Sequence, residues 1–170
     1  MKKISLSGAV AVMAVSGIGW AAPPGDGLVK SCLMAQPFSP SVAIKRIDTH
    51  EVSQEDGYAD GFNASYVVKH DGSDVGYAEG KSTQALIYAG KVYRLSAAIP
   101  VGNNGGIKPT AFNPALAEWS MATVGHQRYL CVSFNFDGLG RSGSFQHVHG
   151  GYLLNTKTKD LYFVVRDVRK

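Results

Sequence analysis

Between residues 129 and 136 the chain alternates without interruption. Leu130, Val132, Phe134 and Phe136 fall on one side, and Tyr129, Cys131, Ser133 and Asn135 on the other. A period of two belongs to a strand, so this segment predicts a β-strand whose Cys131 points away from the more apolar face. Shorter patterns of the same kind predict strands over 42–47, 63–70 and 75–79, with His70-Asp71-Gly72-Ser73 supplying an Asp-Gly hairpin turn. TQALIYAGKVYRLSAAIP reads as further strands turning near Ala89-Gly90-Lys91, and 145–154 with 161–168 as a final hairpin around NTKTK.

Helical spacing occurs twice. Leu28, Val29, Cys32 and Leu33 mark a short helix over 26–35, capped by Asp26 and ended by Pro37 and Pro40. Asn113-Pro114 gives a cap followed by proline at the first helical position, which predicts a second short helix over 114–123. QEDGYADG reads as a polar connection and VGNNGGIKPT as a flexible loop. The expected fold class is α+β, predominantly antiparallel β: a single small domain with one or two short helices packed on a sheet.

Residues 1–21 do not join this pattern. Lys2 and Lys3 precede an apolar, small-residue run to Trp20, and Gly19 and Ala21 occupy the −3 and −1 positions of a cleavage site. This is the layout of a cleavable signal peptide, too short and too rich in Gly, Ser and Ala for a membrane span. The expectation is an exported domain over 22–170 in a bacterial periplasm, with no span. Two cysteines, Cys32 and Cys131, in an oxidising compartment predict a disulfide. It would tie the first helix across the sheet face opposite Leu130 and Val132.

The formal net charge of +4 drops by two, to +2, without Lys2 and Lys3, too little for a nucleic-acid binder. The distribution says more than the sum. Eight of the 13 acidic residues lie between Asp48 and Glu79, opposed there by Lys69 alone among Lys and Arg. That segment predicts an acidic surface suited to steering a basic protein partner.

Motifs narrow the chemistry. Gly138, Gly140 and Gly143 spell GxGxxG, but a dinucleotide site needs a helix next, and SFQHVHGGYLL is a β pattern. GYAEGKST places three residues between Gly76 and Gly80 where a phosphate loop needs four. No cofactor is therefore expected. His147 and His149, two apart on a strand, share a face and are weak candidates for a metal pair, with a third ligand still to be found. Serine nucleophile patterns are missing, and paired acids such as Glu55 and Asp56 sit in loop-like contexts.

The resulting expectation is a periplasmic protein-binding module, an inhibitor or immunity protein that neutralises a basic peptidoglycan-degrading hydrolase or amidase toxin. Candidate contact residues are Asp56, Asp60, Asp71 and Asp74 in the acidic segment, and Asn103 and Asn104 in the glycine loop. Arg141, Ser142, Ser144, His147 and His149 complete the set around the second glycine loop. A metal-binding protein or small hydrolase using His147 and His149, and a structural envelope component, are the alternatives.

Overall fold

A computed structural model describes residues 22–55, 60–135 and 148–167. Among the described residues, eleven strands form two sheets beside one α-helix. The strands are β1 (Val42–Arg46), β2 (Ser53–Glu55), β3 (Ala64–His70), β4 (Ser73–Glu79), β5 (Gln84–Tyr88), β6 (Lys91–Arg94), β7 (Ile99–Pro100), β8 (Glu118–Val124), β9 (Gln127–Asn135), β10 (Val148–Asn155) and β11 (Leu161–Asp167). The larger sheet has the order β1-β8-β9-β10-β11-β7, antiparallel except for the short parallel pairing of β11 with β7. The smaller sheet is an antiparallel meander, β2-β3-β4-β5-β6. The chain leaves the larger sheet at one edge, crosses the smaller sheet, and rejoins at the opposite edge. The α+β expectation dominated by antiparallel strands is met, while the second sheet is a feature the strand patterns do not predict.

Alternation fixes which residues meet. Trp119, Met121, Leu130, Val132, Phe134, Tyr152, Leu154, Phe163 and Val165 point from the larger sheet toward Val68, Val75 and Leu86 of the smaller one. The opposite face of the larger sheet carries Ala122, Tyr129, Cys131, Leu153 and Val164, and receives Leu28, Val29, Cys32 and Leu33 from the helix α1 (Asp26–Met34). Because both faces are covered, β10 and β11 are buried along most of their length rather than at alternate positions. Cys32 and Cys131 are bonded, with Cα atoms 5.3 Å apart, and fasten α1 to β9 on the face expected for them.

Two hairpins turn as the sequence requires. Asp71 and Gly72, and likewise Ala89 and Gly90, have positive φ at both central positions, which is the I′ geometry that matches strand twist. Gly76 answers a different need. A side chain there would meet the Tyr66 carbonyl at 1.9 Å, so only glycine allows β3 and β4 to lie this close.

The helix expected over 114–123 is replaced by a single 3-10 turn, Pro114–Leu116, followed by β8. The start is as read: the Asn113 side chain accepts a hydrogen bond from Ala115 N at 3.0 Å. The continuation fails because Glu118–Val124 finds ladder partners on both sides, β1 and β9, and places Trp119 and Met121 in the core. Non-local pairing overrides the local preference of ALAEWSMAT. Among the described residues, no helix is long and apolar enough to cross a membrane.

Candidate recognition surface

The registers divide the larger sheet into two ends. At one, β8 turns into β9 through Gly125 and His126, and β10 reaches β11 through a turn where Asn155 Oδ1 accepts from Lys157 N and Thr158 N. The β3–β4 hairpin tip is fastened here. Lys45 Nζ and Arg128 Nη2 donate to the two Asp71 carboxylate oxygens at 3.0 and 2.9 Å. The Lys45 hydrogen bond and then the nearby His70 hold the Asp71 carboxyl below its ordinary 3.8, helped by Lys45's charge and the Arg128 bond and opposed by desolvation.

The longer connections gather at the other end. Arg46, Glu118, Asn135, Val148 and Asp167 all lie there by register, so 47–52 leaves β1 and 101–117 enters β8 at this end. The 101–117 segment, whose first part VGNNGGIKPT reads as flexible from its composition, is held at several points. Asn104 is buried and its Oδ1 accepts from Val165 N at 2.8 Å, continuing the edge that β7 leaves after two residues. Tyr152 donates its hydroxyl to the Pro109 carbonyl. Phe112 stacks on Phe134 with centroids 5.0 Å apart and lies 5.7 Å from Phe163.

The 3-10 turn is the centre of this end. Asn113 caps it, and Trp119 Nε1 donates to the Pro114 carbonyl at 3.3 Å. Those two bonds fix the turn so that Leu116 stands 87% exposed. On one side lies a pocket of about 400 Å³ lined by Met34, Gln36, Leu116, Glu118, Ser133 and His149. On the other, a cavity of about 130 Å³ opens between the sheets, with Thr49, Val52, Tyr66, Tyr77, Ala115 and Trp119 in its wall. A wider groove of about 650 Å³ runs past Asn103, Asn104, Ile107, Val148 and Val165.

The candidate residues separate on this frame. Asp60 and Asn103 are exposed, and the Asn103 side chain accepts from Gly105 N at 3.0 Å. Asp71 is engaged by Lys45 and Arg128, and Asp74 pairs with Lys69. His149 is 6% exposed beneath the end of α1, where its ring Nδ1–H donates to the Leu33 carbonyl at 3.2 Å. That bond leaves Nε2 as the nitrogen for any further chemistry. Asp56, Arg141, Ser142, Ser144 and His147 lie outside the described residues. Among the described residues, no group of three or more His, Cys, Asp and Glu side chains is placed to hold a metal ion.

Two features of this end escaped sequence reasoning. Leu116 was hidden inside a segment that reads as an amphipathic helix. The Tyr66–Tyr77 pair, stacked with centroids 4.8 Å apart, follows from the hairpin register, because the Asp71-Gly72 turn sets Tyr66 opposite Tyr77. Trp119 joins them only through packing of the two sheets. Comparison of the chain with protein-family models, with curated proteins and with solved structures finds no match.

Proposed function

We propose that this is an exported, periplasmic protein-binding module that inhibits a peptidoglycan-degrading hydrolase, including the case of an immunity protein against an amidase toxin. The observation that carries the reading is Leu116, a large apolar side chain almost wholly in water on a turn fixed by a cap, a proline and an indole hydrogen bond. One exposed leucine is ordinary. This one stands between two pockets, and Val52, 42% exposed, lies in the wall of the nearer cavity. A pre-ordered apolar tip loses little entropy on docking, and full burial of a leucine contributes about 2 kcal/mol.

Three further features support the reading. The first 21 residues have signal-peptide layout, and the buried Cys32–Cys131 disulfide suits an oxidising compartment. The acidic segment 48–79 gives a basic partner a route in. The test titrates the purified protein into a panel of basic peptidoglycan amidases and muramidases and measures release of soluble peptidoglycan fragments. Stoichiometric inhibition with a stable complex on gel filtration is expected. Undiminished hydrolysis at a large molar excess of this protein removes the proposal.

A further inference from the structure

The cavity between the sheets combines two properties that seldom occur together by chance in a side-chain-sized space. Its wall is aromatic: Tyr66 and Tyr77 stack on each other and Trp119 closes the back, with Val52, Pro114 and Ala115 around them. A carboxylate stands at its edge. Glu79 accepts the Tyr66 hydroxyl at 3.4 Å, whereas Asp48 and Glu51, which precede Thr49 and Val52 in the chain, line a separate pocket with Lys69 and Asp74. Burial, followed by the charge of Glu79 and by Tyr66, pushes the Tyr77 hydroxyl up to about 12.

Glu79 differs from other acids of the same segment. Asp71 and Asp74 are neutralised by Lys45, Arg128 and Lys69, and Glu118 at the far side of the turn by Arg46 at 3.1 Å. Glu79 has no Lys, Arg or His partner within 4.0 Å among the described residues, so its charge is left unbalanced beside the aromatic cavity. A volume of about 130 Å³ is well below the several hundred Å³ of a typical small-molecule site, so the space suits one side chain.

We propose that the Tyr66–Tyr77–Trp119 cavity receives a single lysine or arginine side chain of the partner protein, its alkyl stem against the rings and its charge toward Glu79. This rests on the protein-binding reading above and specifies it: Leu116 enters the partner while a basic residue of the partner enters the neighbouring cavity. A cation within about 6 Å of an aromatic face is attracted by the ring quadrupole, and the long stem covers apolar wall that a compact ion would leave bare. An uncharged side chain of equal length gains the stem contact alone.

The binding chemistry is testable without the partner. The chain contains two tryptophans, Trp20 and Trp119, and the exported domain over 22–170 carries Trp119 alone, which makes it the sole indole reporter of its own cavity. Titration with the N-acetyl amides of arginine and lysine is expected to give a saturable change in Trp119 fluorescence. At least one of them should bind about tenfold more tightly than N-acetyl-norleucine amide, with a preference that weakens as salt is raised. Glu79→Gln is expected to remove most of the preference, and Ala115→Phe, which fills the mouth from an exposed position, to abolish the response, both with unchanged thermal unfolding. Norleucine amide binding as well as the cations, or no saturation with either cation, overturns the site. If the cations bind but no hydrolase of the panel is inhibited, the cavity stands and the inhibitor reading falls. If a hydrolase is inhibited equally well by the Ala115→Phe protein, the inhibitor reading stands and the cavity proposal falls.

Discussion

The two ends of the larger sheet handle polar and apolar groups in opposite ways. At the hairpin end, turns are short, and the charged Asp71 is bonded from two other strands by Lys45 and Arg128. At the other end, long connections are secured from beneath by Asn104, Pro109 and Phe112, while Leu116 and Val52 are left in water. The difference separates two uses of ordered structure. The first end closes the fold. The second holds a surface in shape without closing it, which is the arrangement a docking surface needs.

The comparison can be broken from either side. The largest effect is expected from the disulfide, which serves both ends alike. Replacing Cys32 and Cys131 together by alanine frees a separation of 99 residues and should lower the unfolding free energy by about 4–5 kcal/mol on the chain-entropy model. Urea unfolding with and without reductant measures it. The loss should vanish when wild type is measured reduced.

Phe112→Ala comes next. The ring lies against Phe134 and Phe163, so truncation should cost about 3–4 kcal/mol in urea unfolding. It should also loosen the 101–117 connection, raising amide exchange there and leaving the Asp71 hairpin tip unchanged. Equal loosening at both ends would show that they are not independent units.

The smallest effect belongs to Asp71→Asn. The folded-state carboxyl is held below 3.8, so its stabilising contribution is present above that value and fades as the pH falls below it. Wild type should therefore exceed the variant in stability near neutral pH by a small margin, since the carboxylate is solvent-accessible and screened. The two proteins should converge in acid. A difference that persists to the lowest measurable pH would assign the effect to the turn backbone, where Asp71 has φ 47°, rather than to its charge.

How much of this was legible in the sequence depends on the range of the interaction. The alternation of Leu130, Val132 and Phe134 against Cys131 fixed both the strand and the face on which α1 would be fastened. Asp71-Gly72 fixed a turn and, through it, the opposition of Tyr66 and Tyr77. Neither pattern says what lies across from a face, so the second sheet and its meeting with Trp119 could not be read. The same gap applies to His149, because α1 lies over it and the Leu33 carbonyl takes its Nδ1–H. In ALAEWSMAT the local preference for helix was real, and β1 and β9 outweighed it.

The central claim is that the end bearing Leu116, and not the hairpin end, is the recognition surface. Calorimetric titration of a peptidoglycan hydrolase that the protein inhibits against wild type, Leu116→Asp and Asp71→Asn tests it most directly. Leu116→Asp should weaken binding by at least about 30-fold with urea stability within about 0.5 kcal/mol of wild type, while Asp71→Asn should bind as wild type does. Unaltered affinity for Leu116→Asp, or a larger loss for Asp71→Asn, would contradict the account.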